Sequence, residues 1–543
     1  MYLELQQSIR RRFRTVAQEL FRLQLSEPNL GFPPSAEMGD FSITSCFDLA
    51  KQLRQPPRRI AEQIASRMLP IKGVERVSIA GAGYINLHLD RPALALDLFR
   101  LRSARVTAPL PRAAEDLETQ PGGGSGKILV EHTSINPNKA AHIGHLRNAA
   151  LGDTLARLLR FRGHTVEVEN YIDNTGAQVA DVVAGFVHLD KKSLKEVREL
   201  IEAKSGPRFD YYCWDLYARV SQFYAEKPAA LSLRSETLKA IEDGEGEIAR
   251  MADLVSHTIA RLHLETMQRI NVRYDLLVQE SEILRLNFWK SAFELMKNHN
   301  AIYFQESGKN RGCWVMNLGK DSPESEAEDE GKIIVRSNGT VTYVGKDIAY
   351  HLWKFGLLER DFCYHRFYQY PDGTDVWRTS TKGEPAAPAF GHARVAYAVI
   401  DSRQSYLQEV VRRALAALGY NEQADRLHHF SYEVVGLSPL CAEVLGLPVS
   451  EDDRRRSYVE VSGRKGLGIK ADDLVDSLTE RALEEVRSRG TQPGSEAQQA
   501  SAVMIGVSAL RYFLLKYTRR TIIAFDFNEA LAFEGETGPY LQY

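Results

Sequence analysis

Residues 127–147 read KILVEHTSINPNKAAHIGHLR, and this stretch determines the predicted fold. Its first six residues are mostly apolar and predict a short buried strand. Leucines spaced over 151–159 then mark a helix that ends at Gly163, and 166–171 predicts a second strand. A strand–helix–strand unit of this kind is typical of a parallel α/β sheet. Ligands bind such sheets at the carboxyl ends of the strands, where the polar half of the quoted stretch lies.

The composition is that of a globular protein. The 543 residues are enough for about three or four domains, with 44% hydrophobic and 26% charged residues. The 69 Lys and Arg residues nearly balance the 71 Asp and Glu residues, which excludes a histone-like basic protein but not a local basic surface. There is no apolar run long enough to span a membrane and no pattern typical of a secretory signal. The five cysteines lie far apart without a CxxC pair, which predicts reduced thiols in a cytoplasmic protein.

Residues 1–108 are predicted to form an α+β domain that opens with an amphipathic helix and contains a β-hairpin at 74–89. Residues 109–126 are rich in Pro, Gly and Ala and predict a linker. The glycine-rich run at the end of this linker is not a phosphate-binding loop. Pro121 occupies the position of the first required glycine, and Ile128 stands where Ser or Thr should hold magnesium.

Residues 127–477 are predicted to form one α/β domain, interrupted by a mostly helical insertion at about 185–300. The sheet is expected to resume after the insertion in three strand-like segments, at 332–335, 340–344 and 393–400. Residues 478–543 have a helical pattern and predict the beginning of a C-terminal α-helical domain.

The chemistry is expected where two histidines flank Ile143 and Gly144 at the predicted helix N-terminus. The imidazole N–H groups of His142 and His145, together with the first helix amides, are suitable donors to a polyphosphate. Gly144 would let the backbone approach such a ligand closely. On this short pattern alone, two histidines with purely structural roles remain an alternative.

The wider pattern is more specific than the two histidines. The HIGH signature at 142–145, with Glu131, Asn136 and Lys139 before it and Leu146-Arg147-Asn148 after it, resembles class I aminoacyl-tRNA synthetases, and arginyl-tRNA synthetases in particular. Further segments resemble the same family, namely 39–41, 81–89, 342–351 and 540–543. The resemblance covers essentially the whole chain. It implies a Rossmann-type catalytic domain, an N-terminal domain that contacts tRNA and a C-terminal anticodon-binding domain.

The resemblance implies that L-arginine reacts with ATP to give arginyl-adenylate and pyrophosphate, and that arginine then passes to the 3′ end of tRNA(Arg). Mg²⁺ would arrive with ATP, and no structural metal is expected. The residues placed at ATP are His142, Ile143, Gly144, His145, Ser462 and Lys465. Those placed at arginine are Glu131, Asn136, His142, Tyr343, Asp347 and Gln404. Those expected to act on the reacting phosphates are Lys139, His142, His145, Arg464 and Lys465.

The second class I motif, KMSKS, is degenerate in this chain. The corresponding segment at 460–466 lacks the first lysine, the methionine and the second lysine, and its basic charge moves to Arg464 and Lys465. Family members with such a loop carry a lysine just before HIGH, where this chain has Lys139. Lys139 and Lys465 are therefore expected to share the pyrophosphate charge. A flexible surface turn remains the alternative for 462–466.

The arginine assignment is chemically reasonable. A guanidinium group presents five donors in a planar fork, so a selective pocket needs carboxylates and an oriented acceptor. By resemblance Glu131, Asp347 and Tyr343 fill these roles, while Asn136 and Gln404 hold the α-amino group. Such a pocket should reject neutral isosteres strongly, because they would leave its carboxylates unpaired.

The last residues of the chain resemble the first helices of the anticodon-binding domain. We therefore expect a truncated enzyme with weak aminoacylation, because most of that helical bundle would be missing. Seven apolar residues of these helices would normally face the missing helices, so they are expected to be exposed and loosely held: Leu510, Phe513, Leu514, Phe525, Phe527, Leu531 and Phe533.

Two competing functions remain open. A tRNA-binding paralogue or fragment of such an enzyme, weak or inactive in catalysis, would keep the fold but lose the ATP and arginine residues. A cofactor-forming adenylyltransferase of HIGH type would lack the N-terminal domain and the segment at 342–351. The partners expected for the synthetase are tRNA(Arg), L-arginine and ATP, with no membrane, and the enzyme is expected to be a cytoplasmic monomer.

Overall fold

The computed structural model describes residues 2–23, 27–105, 126–316, 331–339, 341–447, 449–459, 469–489, 496–532 and 534–542. The chain divides into two compact units, Met1–Pro111 and Arg112–Tyr543. Within the described ranges no helix is both long and apolar enough to cross a lipid bilayer.

The first unit is an α+β domain with a four-stranded antiparallel sheet in the order β1-β2-β4-β3. Its elements are α1 Tyr2–Phe21, β1 Leu30–Gly31, β2 Phe41–Ile43, α2 Cys46–Leu53, α3 Pro57–Met68, β3 Val74–Ala80, β4 Tyr84–Leu89 and α4 Arg91–Arg105. The predicted hairpin is confirmed as β3 and β4, with Ile79 opposite Ile85. Helix α3 packs against this hairpin, and α1 packs against α3. Phe13, Ile64 and Leu87 are fully buried between them.

The second unit is built on a seven-stranded sheet in the order β11-β12-β7-β6-β5-β13-β14. The strands of this unit are β5 Ile128–Glu131, β6 Val166–Ile172, β7 Leu276–Gln279, β8 Ile302–Phe304, β9 Trp314–Met316, β10 Lys332–Val335, β11 Cys363–Gln369, β12 Asp375–Ser380, β13 Val395–Ala398, β14 Leu427–His429, β15 Val435–Leu437 and β16 Ile523–Phe525. Only the pair β11–β12 in the large sheet is antiparallel. The predicted parallel α/β sheet is therefore confirmed.

Helices cover this sheet and continue to the end of the chain. They are α5 Ile143–Phe161, α6 Ala177–Ala184, α7 Leu194–Glu202, α8 Phe209–Glu226, α9 Leu231–Asp243, α10 Gly246–Arg269, α11 Glu280–Arg285, α12 Phe288–Asn298, α13 Tyr343–Lys354, α14 Ser405–Ala417, α15 Asn421–Asp425, α16 Pro439–Val444, α17 Glu451–Arg454, α18 Ala471–Arg489, α19 Glu496–Lys516, α20 Phe527–Leu531 and α21 Gly538–Gln542. The predicted unit of strand, helix and strand is confirmed as β5, α5 and β6. Because β6 lies on one side of β5 and β13 on the other, the strand order reverses at β5.

Two of the strand predictions need correction. The segment at 340–344 is not a strand: Val341 makes only an isolated bridge, and Tyr343 already begins α13. Apolar residues then recur at helical spacing, with Val344 and Ile348 buried, so the short alternation before them was misleading. The strand at 332–335 is confirmed as β10, but it joins the separate antiparallel sheet β10-β9-β8. The mostly helical insertion also contains β7, a strand of the main sheet that was not assigned from the sequence because a three-residue apolar run carries no periodicity.

The expectation that the C-terminal apolar residues are exposed is wrong for those the structure describes. Five of them are buried in the same core as the large sheet, namely Leu510, Phe513, Leu514, Phe525 and Phe527, while Leu531 is partly buried against it. Helix α19 packs against α18 and α5, so the second unit itself covers the apolar face of α19. Arg511 of α19 also donates to the Ile270 carbonyl at 2.9 Å and to the Asp153 carboxylate at 2.5 Å. Phe533 lies outside the described residues.

The buried side of α19 leads to a stability prediction. Phe513→Ala should lower the free energy of unfolding by about 3–5 kcal/mol, because it removes a ring that is 1% exposed and packs edge-on against Phe525. Met504→Ala, on the same helix but 59% exposed, should change it by less than about 0.5 kcal/mol. Urea unfolding followed by circular dichroism measures both variants. If Phe513→Ala changed the free energy of unfolding as little as Met504→Ala, α19 would be loosely held.

Candidate active site

A cavity of about 790 Å³ lies at the carboxyl ends of β5 and β13, where the strand order reverses. This position is the usual ligand site of doubly wound sheets. Nine of the predicted site residues line it together: Glu131, Asn136, Lys139, His142, Gly144, His145, Tyr343, Asp347 and Gln404. Ile143 does not, because its side chain is fully buried in the apolar core. Ser462, Arg464 and Lys465 lie outside the described residues.

The loop after β5 reaches the cavity through an unusual turn. Thr133 and Ser134 both have left-handed backbones, with φ of 76° and 44°. Side-chain amides hold them: the N–H of Thr133 donates to Asn148 at 2.5 Å, and that of Ser134 donates to Asn170 at 2.9 Å. The amide of Asn148 also donates to the carbonyl of Val399 at 2.8 Å. One side chain of α5 therefore joins the loop after β5 to the residue that follows β13.

The two histidines form the N-terminal cap of α5. The N–H of Gly144 donates to Nδ1 of His142, and the N–H of His142 donates to Nδ1 of His145, each at 3.2 Å. A backbone N–H can only donate, so both Nδ1 atoms are acceptors and each neutral ring carries its proton on Nε2. The rings stack with centroids 3.7 Å apart. The cap thus fixes two Nε2–H donors as a pair.

Burial keeps these imidazoles neutral. Together with the nearby Lys139 and His263, it lowers the pKa of His142 to about 3. Burial also lowers the pKa of His145 well below its usual value, helped by His142 and Lys139. Near neutral pH the two rings are therefore hydrogen-bond donors without charge, and the positive charge at this end of the cavity belongs to Lys139.

Another part of the cavity, called here its acidic end, is lined by Asp347, Glu280 and Glu131. Burial raises the pKa of the Asp347 carboxyl well above its usual value, and the nearby carboxylates of Glu280 and Glu131 raise it further. Lys354 and Lys346 act in the opposite direction but do not cancel the effect. A cation with several hydrogen-bond donors would relieve this concentration of carboxylates.

Glu280 is a cavity residue that the sequence analysis missed. Its carboxylate accepts hydrogen bonds from Tyr171 at 3.0 Å, from Thr175 at 2.9 Å and from Lys346 at 2.5 Å. Burial opposes ionisation, but these partners keep the pKa of Glu280 below its usual value. The residue follows directly after β7, so correct assignment of that strand would have placed it at the sheet's carboxyl edge with Glu131.

The carboxylate of Glu131 is already paired within the protein. One oxygen accepts a short hydrogen bond from the ammonium group of Lys354, and both side chains are buried. The other oxygen is 3.4 Å from the hydroxyl of Ser134. Part of the negative charge that the resemblance directs to the guanidinium group is therefore taken up by Lys354.

The remaining predicted arginine residues lie around the mouth of the cavity. Tyr343, at the start of α13, is 60% exposed. Gln404 is also exposed, in the short helical turn before α14, and Asn136 lies half-buried in the loop after β5. These three polar side chains leave the acidic end accessible from solvent.

Comparisons with known proteins agree with this geometry. The family model "Arginyl tRNA synthetase N terminal domain" matches residues 4–89, and "tRNA synthetases class I (R), catalytic domain" matches residues 114–361. Together with the parallel sheet and the histidine-capped helix at its switch point, the second match defines a class I aminoacyl-tRNA synthetase.

Individual relatives narrow the assignment from class I aminoacyl-tRNA synthetases to one family. The arginine–tRNA ligase of Thermococcus sibiricus is 35% identical over 517 residues, which are 94% of this chain and 76% of the relative. An arginine–tRNA ligase of Thermus thermophilus is 35% identical over 514 residues, with the same coverage. A solved structure of Thermus thermophilus arginyl-tRNA synthetase has a TM-score of 0.76 and 31% identity, covering 99% of this chain and 80% of that one. The chain belongs to the arginyl-tRNA synthetase family.

The cap geometry makes a testable prediction about the two histidines. The Cε1–H resonances of His142 and His145 should not move between pH 8 and pH 5, because burial holds both pKa values far below that range. NMR of the histidine-labelled protein, assigned with His142→Asn and His145→Asn, measures this. Free histidine in the same sample serves as a reference that titrates near about 6.5. A midpoint between pH 6 and 7 for either ring would contradict the neutral cap.

Proposed function

We propose that this chain is an active arginine–tRNA ligase, which forms arginyl-adenylate and pyrophosphate from L-arginine and ATP and transfers arginine to the 3′ end of tRNA(Arg). The supporting observation is the polarity of one cavity. Neutral imidazole donors and Lys139 lie at one end, and Asp347 and Glu280 lie at the other. A triphosphate and a guanidinium group have the complementary charges.

The test is ATP–pyrophosphate exchange with each of the twenty amino acids, with and without tRNA. We expect exchange with arginine alone among them. Exchange with no amino acid under any condition would instead indicate the tRNA-binding paralogue or fragment. Exchange with a different amino acid would contradict the assignment of the acidic end.

At the acidic end, Asp347 would receive the guanidinium donors, with the hydroxyl of Tyr343 closing the mouth. Glu280 would add negative charge nearby, but its oxygens already accept from Lys346, Thr175 and Tyr171. Glu131 would contribute less to this contact than the resemblance implies, because Lys354 already occupies one of its oxygens. Asn136 and Gln404 would hold the α-amino group. This arrangement directs the arginine carboxylate toward the histidine-capped end of the cavity.

At the phosphate end, the Nε2–H groups of His142 and His145 would donate to phosphate oxygens as the carboxylate attacks the α-phosphorus. The backbone at Gly144 would allow the phosphates to approach the helix N-terminus, whose dipole favours negative charge. Lys139 would stabilise the charge that develops on pyrophosphate. Donors that are already fixed stabilise a transition state without reorganisation, which is the main requirement of this reaction. Ser462, Arg464 and Lys465 keep the roles that the resemblance implies for them.

Mg²⁺ would reach the site on ATP, held mainly by phosphate oxygens, and would add positive charge beside the phosphates. Among the described side chains, no group of three or more His, Cys, Asp or Glu residues is arranged to hold a metal ion. We therefore propose no protein ligand for Mg²⁺.

We also propose that the enzyme is a cytoplasmic monomer with separate units for tRNA and for catalysis. All five cysteines are free, and only Cys363 is exposed, which is suited to a reducing compartment. Residues 1–108 would contact tRNA, and residues 127–477 would catalyse the reaction.

The first functional prediction concerns arginine binding. Asp347→Ala should raise the KM for arginine far more than the KM for ATP, because it leaves guanidinium donors unpaired in a desolvated pocket. The loss should be about 2–5 kcal/mol, as for a buried charge that loses its partner. Steady-state exchange kinetics measure both constants, with the exposed acid Glu359→Ala as the control. Equal changes in the two KM values would show that Asp347 is structural.

The second functional prediction concerns the phosphate end. Lys139→Ala should slow ATP–pyrophosphate exchange by roughly 10²–10³-fold with little change in the KM for arginine, because a cation at the leaving pyrophosphate is lost. Lys195→Ala, a lysine whose side chain is 86% exposed on α7, is the control. A normal exchange rate for Lys139→Ala would move this role to Arg464 or Lys465.

A further inference from the structure

Helix α8 presents an aromatic stripe to two lysines. Tyr211, Trp214 and Tyr217 are spaced by three residues and therefore share one face of the helix. The ammonium nitrogen of Lys139 is 5.4 Å from the ring centroids of both Trp214 and Tyr217. That of Lys470 is 4.7 Å from Tyr211 and 5.6 Å from Trp214. Trp214 is the ring that both lysines share.

The backbone brings these lysines together. His142 and Lys470 form an antiparallel bridge, and the N–H of Ala471 donates to the carbonyl of Ala141 at 2.8 Å. The segment before α18 therefore lies beside the segment that contains Lys139 and begins the histidine cap. The carbonyl of Lys139 is itself fixed, because it accepts a hydrogen bond from Nε2 of His263 at 2.7 Å.

An ionic network fixes the start of α8 to the same two segments. The guanidinium group of Arg208 binds both oxygens of Asp210, at 2.7 and 2.6 Å, and reaches Asp472 of α18 at 2.5 Å. The carbonyl of Asp210 accepts the N–H of Ala140 at 3.1 Å. Hydrogen bonds and ion pairs thus link the aromatic stripe, the Lys139 segment and the Lys470 segment beside the histidine cap.

We propose that Trp214 is a positioning residue that holds Lys139 and Lys470 as a pair of cations for the pyrophosphate of ATP. An aromatic face attracts an ammonium group within about 6 Å but, unlike a carboxylate, leaves its charge available. Trp214 is 3% exposed, so its ring is held firmly by its neighbours. In a chain whose KMSKS segment is degenerate, Lys470 adds a cation beside Lys139 to those that the resemblance assigns to Arg464 and Lys465. This inference rests on the phosphate role proposed above for Lys139.

The experiment measures kcat and both KM values in arginine-dependent exchange, with tRNA present. Trp214→Leu should lower kcat by roughly tenfold or more and leave the KM for arginine unchanged, whereas Trp214→Phe, which keeps an aromatic face, should stay within about threefold of the wild type. Lys470→Ala should also slow exchange. Trp377→Leu removes an equally buried tryptophan from β12 and controls for general loss of packing.

A double-mutant cycle separates positioning from structure. In the Lys139→Ala, Lys470→Ala background, Trp214→Leu should have no further effect on kcat, because no cation is left to position. Full additivity there, or a Trp214→Phe variant as slow as Trp214→Leu, would overturn the proposal. If the lysine variants had a low kcat but Trp214→Leu had a normal one, the positioning role of Trp214 alone would be overturned. Normal exchange in Lys139→Ala would overturn the phosphate assignment and this inference with it.

Discussion

The position of the active site depends on two strained residues after β5. Left-handed backbone at residues such as Thr133 and Ser134 costs about 1–3 kcal/mol each and persists only where the surroundings enforce it. The amides of Asn148 and Asn170 do so, and Asn148 joins the same turn to Val399. The strand order reverses at β5, so these hydrogen bonds lie at the topological switch point of the sheet. It sets the path of the loop that carries the lysine and both histidines.

The two ends of the cavity differ in their electrostatics. At the helix cap, burial removes the charge of His142 and His145 and leaves donors with a fixed direction. At the other end, burial and the neighbouring carboxylates Glu280 and Glu131 raise the pKa of Asp347, although Lys346 and Lys354 act in the opposite direction. The same desolvation thus has two effects, since it keeps the imidazoles neutral and raises the pKa of the Asp347 carboxyl.

The elements of the fold and the residues of the site differ in how well the sequence predicted them. The unit formed by β5, α5 and β6 was predicted because its apolar pattern and its motif agree. Strand β7 was missed because three apolar residues next to long helices carry no periodicity, and Glu280 was missed with it. The start of α13 was mistaken for a strand because apolar and polar residues alternate at 340–344, where the helix begins. The pairing of Glu131 with Lys354 joins residues far apart in the chain, so no local pattern could have indicated it.

A buried side chain next to the HIGH motif explains why the C-terminal helices pack against the rest of the second unit. Arg147, two residues after the second histidine, is fully buried, and its guanidinium group donates to the carbonyls of Val434 and Thr521 at 3.0 and 2.9 Å. Burial lowers its pKa to about 10, so the ion is costly to keep there unless those carbonyls stay in place. Thr521 lies just before β16, which pairs with β15 beside α5. The catalytic helix therefore requires the chain after α19 as a structural partner. This requirement explains why Phe525 and Phe527 belong to the catalytic core and are not the exposed face of a separate bundle.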